Sequence, residues 1–354
     1  MKVWRVGILG LGHWYSAYNL ARALREFPRA TLVGAAWTHR PHLDEFTHAF
    51  GITAFDDYDA LIGRDDIDIV HIAAPTSEIP DLAIRAARAG KHIILGKPMA
   101  MTNADAARMV GAVDAAKVTC VPLQGVTRFR YGSLKTRIDQ GLIGDILLMH
   151  QTARWSIAED WPRSGTPGWF ADPACVPGGA LIDEGIYWVE VFRFLTGSEV
   201  TEVEARTANL VHTEIGVEDW GHATFTFANG VRATLEASWT ITAPRVTGPS
   251  PKQNSVIRLE VIGTRGEVHD QWFRAPGLAV LAAGAPDWVY ERQSEEPFAV
   301  AAPMPLAHVI DCLESGRPPL VTIHDARTSL AATLAAYQSA REGRPVRVSP
   351  AAAP

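Results

Sequence analysis

Cysteine is scarce. The 354 residues hold three, Cys120, Cys175 and Cys312. An odd, scattered trio excludes a disulfide framework and a zinc ligand set, and a reducing, cytoplasmic setting is expected. Long apolar runs are missing, so no bilayer span and no membrane partner is expected. A basic stretch is missing too: 33 Lys and Arg stand against 39 Asp and Glu, for a net charge of −6, which argues against nucleic acid. No P-loop, nucleophile elbow or metal motif occurs, so no metal is expected. There is no internal repeat, and the low-complexity part is confined to the Pro/Ala tail at 349–354. Met1-Lys2 and the apolar run after it imitate a signal peptide, but Arg5 breaks the run.

What is present is apolar bulk and glycine in telling places. Hydrophobic residues make up 47%, and the length suits two domains. Residues 3–14 read as a strand, a turn holding Gly10 and Gly12, and the start of an alanine- and leucine-rich helix to about residue 27. Such a turn offers free N–H groups to a pyrophosphate at a helix N-terminus. Gly10 permits the tight turn, and Gly12 a close approach of the backbone. The fingerprint G-x-G-x-x-G is incomplete, because Tyr15 occupies its third position. His13 and Trp14 complete the candidate phosphate turn.

Strands are expected at 31–37, 68–74, 91–95 and 118–123. Helices are expected at 41–50, 78–89 and 102–117, the last with Thr102 and Asp105 spaced as a capping box. This alternation implies right-handed βαβ units and a parallel sheet. The second strand ends in Trp37-Thr38-His39-Arg40, with no carboxylate for a ribose. Trp37, Thr38 and Arg40 are therefore cofactor candidates, with NADP slightly favoured over NAD. The third and fourth strand ends add Ala74, Pro75 and Thr76, then Gly96, Lys97 and Pro98. A lysine at a strand's carboxyl end faces the ligand crevice of such a sheet; the alternative is a solvated loop lysine.

The pattern changes after Gln124. Helices are expected at 133–141, 181–195, 303–315 and 325–342. A strand at 145–155 precedes a Trp-bearing loop at 159–179. Residues 223–228 and 231–239 read as a hairpin with a type I′ turn at Asn229-Gly230, and 256–262 pairs with 267–272. This is a separate α+β domain. Asp183, Tyr187 and Glu190 are spaced i, i+4, i+7 and share a helix face. A carboxylate and a phenol there suit alcohol deprotonation, if a cation such as Lys97 lowers the tyrosine pKa from its usual value of about 10. The alternative is a core Tyr187 bonded to Asp183. Gly185, mid-helix, suggests close approach of something large.

These segments, in order, resemble the glucose–fructose oxidoreductase / inositol dehydrogenase / rhizopine catabolism (Gfo/Idh/MocA) family. Residues 89–98 resemble its A-G-K-H-V-x-x-E-K-P. Arg128-Phe129 fits its R-F element, and residues 178–190 resemble its G-G-x-L-x-D-x-G-x-H-x-x-D helix. Residues 337–343 are similar to its last helix. The resemblance implies an α/β Rossmann domain with a parallel doubly wound sheet at 1–123. It implies a C-terminal α+β domain with a large, mostly antiparallel open sheet at 124–354, for substrate and oligomerisation, its last helix packing back on the first domain. It implies an NAD(P)-dependent oxidoreductase moving hydride at a secondary alcohol of a sugar, polyol, cyclitol or glycoside, as a homodimer or homotetramer. The catalytic residues it implies are Lys97, Asp183 and Tyr187, with a cis bond at Lys97-Pro98. Arg128, Trp155 and Trp169 are candidates for the sugar pocket. The chain departs from the pattern at Gly96 (for glutamate), Thr76 (for asparagine), Ile79 (for histidine), Tyr15 (for glycine) and Tyr187 (for histidine). Two other functions are kept for that reason: a glycosidase or lyase with a recycled nicotinamide, and a non-catalytic sugar or nucleotide sensor.

Overall fold

The structure, a computed structural model, describes residues 2–156, 168–241, 255–272, 277–291 and 304–348. The expected loop at 159–179 is described only from residue 168, and the Pro/Ala tail at 349–354 lies outside the described residues. The chain divides into two compact units, Met1–Val126 with Ala174–Pro177 and Phe298–Arg327, and Thr127–Pro173 with Gly178–Pro297 and Thr328–Pro354.

In the first unit strands and helices alternate: β1 (Trp4–Leu9), α1 (Trp14–Leu24), β2 (Ala30–Ala36), α2 (Arg40–Phe50), β3 (Thr53–Phe55), α3 (Tyr58–Ile62), β4 (Ile69–Ile72), α4 (Ile79–Arg88), β5 (His92–Leu95), α5 (Asn103–Ala116) and β6 (Cys120–Pro122). The six strands form one parallel sheet in the order β3-β2-β1-β4-β5-β6. The winding reverses between β1 and β4, which is the switch point where such sheets bind ligands. Local chemistry sets the helix ends. Pro41 opens α2, and Gly51 closes it at φ +66°. Thr102 caps α5 by accepting from the Asp105 amide at 3.1 Å, as its spacing predicts.

Helix α6 (Gly125–Asp139) begins eight residues before the expected 133. Its buried stripe is Thr127, Tyr131, Leu134 and Ile138. A polar residue opens that stripe, so hydrophobic periodicity does not register the first two turns.

The second unit adds β7 (Ile146–Arg154), a 3₁₀ turn (Gly168–Ala171), α7 (Ala180–Thr196), β8 (Val200–Ala208), β9 (Trp220–Phe227), β10 (Arg232–Ser238), β11 (Val256–Gly263), β12 (Glu267–Gln271), β13 (Leu278–Leu281) and β14 (Val289–Glu291). Then α8 (Met304–Ser315) returns to the first unit, where Leu306, Val309 and Ile310 join the core around Trp4, Val6 and Ile94. Helix α9 (Ile323–Glu342) and β15 (Val346–Arg347) close the chain. The second sheet has nine strands in the order β14-β13-β12-β11-β7-β10-β9-β8-β15. Its pairs are antiparallel except β7 with β10. Burial alternates along β9 and β10, and α7 packs on the buried face.

The β9–β10 turn differs from the expected type I′. Gly230 has φ +90°, and it is Lys117, not Asn229, that is the non-glycine with positive φ among the described residues. The Gly230 amide donates to the Phe227 carbonyl at 2.9 Å, and the Phe227 amide to Val231 at 2.9 Å. These bonds enclose a three-residue loop, a type I turn closed by a left-handed glycine, so Asn229 is spared a positive φ.

Candidate active site

In the first unit the predicted cofactor residues stand at the carboxyl ends of β1, β2, β4 and β5. The glycine turn is stitched at both ends: Gly10 N–H donates to Ala36 O and His13 N–H to Ala73 O, each at 2.8 Å. Gly10 has φ +80°, and a Cβ there would lie 2.6 Å from Ala74 Cα. Conformation and space both demand glycine. Gly12 and Trp14 complete the turn into α1. Tyr15, in the place of the third glycine, meets His13 edge-on, its hydroxyl 3.0 Å from His13 Nδ1.

Thr76, after Ala74 and Pro75, has a buried hydroxyl with no hydrogen-bond partner among the described residues. At the end of β2, Trp37 stacks on His42 with ring centroids 5.7 Å apart. Thr38 lies in the bend before α2. Arg40 pairs with Asp44 at 2.7 Å and also with Asp56. At the end of β5 a Cβ on Gly96 would sit 2.4 Å from Ile72 O, so that backbone excludes the glutamate of the family pattern. Lys97 is buried, and Lys97-Pro98 is cis, as the resemblance implies.

Two buried histidines support these strand ends. His71 Nε2 lies 2.9 Å from Ser16 Oγ, and burial pushes its pKa down to about 4. His13 is held well below the ordinary histidine range, first by burial and then by the charge of Lys97.

In the second unit, α7 starts on a cradle that explains Gly178-Gly179. A Cβ on Gly178 would lie 2.2 Å from the Tyr337 ring, and one on Gly179 would lie 1.9 Å from Glu218 O. The Glu218 carboxylate accepts from Gly179 N–H at 2.8 Å and Leu181 N–H at 2.9 Å, capping the helix. Tyr337 donates its hydroxyl to Glu218 at 2.6 Å and accepts from Ile182 N–H at 2.8 Å. Burial raises the pKa of both side chains.

Asp183 stands in the first turn of α7, buried, with half-buried Tyr187 one turn on. The third member of the predicted face has a different task. Glu190 is fully buried and binds Arg193 and Ser329, each at 2.7 Å, and the Arg128 guanidinium at 2.5 Å. Arg128 is thereby committed to an internal ion pair. The body that approaches Gly185 is α9: a Cβ would lie 2.7 Å from Thr333 Cγ2. Trp155 follows β7, its amide donating to Ser238 O at 2.8 Å, and Trp169 stacks on Phe170 at 4.0 Å. Sequence reasoning missed Trp239, whose indole N–H donates to the Asp183 carboxylate at 3.2 Å, and the Glu218–Tyr337 pair. No spacing signal marks residues so far apart in the chain.

A parallel doubly wound sheet with a glycine turn at its switch point defines a dinucleotide-binding fold. The pattern "Oxidoreductase family, NAD-binding Rossmann fold" matches residues 4–123, and "GFO/IDH/MocA C-terminal domain" matches residues 131–269. The chain belongs to the GFO/IDH/MocA family of oxidoreductases. It is 29% identical to the scyllo-inositol 2-dehydrogenase (NAD(+)) of Bacillus subtilis (strain 168) over 97% of this chain and 96% of that one. It is 27% identical to the D-apiose dehydrogenase of Paraburkholderia graminis over 98% of this chain and 90% of that one. The fold is that of a levoglucosan dehydrogenase solved with NADH and L-sorbose: TM-score 0.85, 23% identity, covering 99% of this chain and 100% of that one. Among the described residues no helix is long and apolar enough to cross a membrane, and no group of three or more His, Cys, Asp or Glu could hold a metal ion.

Proposed function

We propose that this enzyme moves hydride between NAD(H) and a secondary alcohol of a sugar or cyclitol. Residues 1–123 hold the cofactor, and residues 124–354, apart from α8, which packs in the first unit, hold the substrate and build the oligomer. The observation that carries the reading is the edge of the parallel sheet. There the Gly10 cradle, the orphaned Thr76 hydroxyl and buried Lys97 stand at neighbouring strand ends. A cradle that a Cβ would fill and an unpartnered buried hydroxyl both fit a dinucleotide. NAD, when bound, supplies the hydride acceptor. The Lys97 ammonium binds the reacting oxygen, Tyr187 carries its proton, and Asp183 accepts from a substrate hydroxyl and orients the ring. Trp155 and Trp169 offer aromatic faces to the sugar. The slight preference expected for NADP rests on the absent carboxylate, with the Thr38 hydroxyl and the Arg40 guanidinium free to take a 2′-phosphate. Asp44 and Asp56 pair with that guanidinium at the surface and would compete with a 2′-phosphate for it, which supports NAD over NADP. A homo-oligomer is supported by exposed Leu147 and Leu148 on β7 and Val289 and Tyr290 on β14.

The test is titration with NADH and with NADPH, read by quenching of the eleven tryptophans, followed by scyllo-inositol, D-apiose and levoglucosan as probe substrates with NAD. Tighter NADH binding and absorbance at the reduced nicotinamide band are expected. Binding of neither nucleotide, with none released on denaturation, overturns the reading.

A further inference from the structure

His13 joins three strand ends. It follows β1, its amide donates to Ala73 O beyond β4 at 2.8 Å, and its ring Nε2 lies 2.5 Å from Lys97 O beyond β5. A carbonyl oxygen only accepts, so Nε2 must carry the proton. In a neutral ring Nδ1 is then an acceptor, and the Tyr15 hydroxyl at 3.0 Å donates to it. The ring is fully buried, and burial together with the nearby Lys97 charge holds it neutral. The Lys97 carbonyl therefore sets the tautomer, and Tyr15, by donating to Nδ1, holds the ring in the plane of that bond. Gly96 gives Lys97 no neighbouring side chain to lean on, because a Cβ there would lie 2.4 Å from Ile72 O.

We propose that His13 is a positioning residue, oriented by Tyr15, that fixes Lys97 through its backbone carbonyl. Tyr15 is then a working part of the turn. The importance of the bond for turnover rests on the role given to Lys97 above, but the bond itself can be tested without turnover.

The first measurement is ¹⁵N NMR of the whole chain labelled at histidine, with His13 assigned from the spectrum of His13→Gln. A neutral ring protonated at Nε2 is expected from pH 6 to 8; an Nδ1-protonated ring, or one titrating near 6.5, overturns the proposal. The second is trace acetylation of Lys97, read by mass spectrometry. His13→Leu frees the buried lysine and raises its acetylation at least about threefold, whereas His13→Gln, which keeps an N–H donor, stays within about twofold of the parent. Equal rates in His13→Leu and parent overturn the proposal. So does His13→Gln reacting like His13→Leu with NADH affinity lost, since that marks a general collapse of the turn. If His13→Leu does not fold, Tyr15→Phe takes its place: the Nδ1 signal should move as its bond to the hydroxyl is lost while Nε2 stays protonated, and an unchanged Nδ1 signal overturns the role of Tyr15. Full turnover in Lys97→Met would remove the catalytic reading of Lys97 and leave these measurements to decide the bridge.

Discussion

The indole N–H of Trp239 donates to the carboxylate of Asp183 at 3.2 Å, across 56 residues of chain. An indole N–H only donates, so the pair has one polarity. Trp239 is itself anchored, its amide donating to Asp219 O at 2.7 Å. Trp239→Phe keeps the ring and deletes the donor. It should cost about 1–3 kcal/mol of stability, the scale for a buried hydrogen bond to a charged group. It should also lower kcat on the order of tenfold by loosening Asp183. Urea unfolding and steady-state kinetics check the two effects; a variant that matches the parent in both would remove Trp239 from the site.

Lys97→Met and Tyr187→Phe should each lower turnover by about a hundredfold or more, as expected for groups handling the reacting oxygen and its proton. NADH affinity should change by less than about threefold in Tyr187→Phe. Fluorescence titration and initial rates separate binding from chemistry. Near-normal rates in both variants would defeat the proposed mechanism.

The Glu218–Tyr337 pair should behave as a structural unit. Tyr337→Phe leaves the Glu218 carboxylate and the Ile182 N–H each short of a partner, so a loss of about 1–3 kcal/mol is expected. Gly178→Ala drives a methyl group into the Tyr337 ring. If Tyr337 is what excludes that methyl, the double variant Gly178→Ala/Tyr337→Phe will be no better, because the ring remains, whereas Gly178→Ala/Tyr337→Ala should recover part of the loss. Denaturant midpoints of the four proteins decide the matter.

Acid should weaken the first unit before carboxylates titrate. The His71 pKa is lowered from 6.5 to about 4 in the folded chain. Above pH 6.5 both folded and unfolded forms are neutral there, and the full stability is present. As pH falls toward 4, the unfolded chain takes up the proton first and stability is lost. At 1.36 kcal/mol per pH unit the loss approaches about 3 kcal/mol. Urea midpoints between pH 7.5 and 5 should fall, and His71→Phe should make that slope shallower, leaving the share that the other depressed histidines, buried His13 first, contribute. An equal slope in the variant would reject the assignment to His71.

Local chemistry determined much of this protein from its sequence. Gly10, Pro41 and Thr102 mark turn and helix ends because φ limits and capping act over a few residues. Apolar runs between helices gave the parallel sheet, and the motifs at 89–98 and 178–190 gave the family. Their spacing also put Asp183 and Tyr187 on one helix face. The tertiary structure decided what long-range contacts control. Arg40 turned out to be paired with Asp44 and Asp56, and Glu190 to be buried among Arg128, Arg193 and Ser329. Helix α8 returns to the first unit, and Trp239 and Tyr337 reach α7 from distant parts of the chain. The reason is physical: the sequence records which side chains want partners, but only the packed chain brings a donor 56 or 155 residues away within hydrogen-bonding distance.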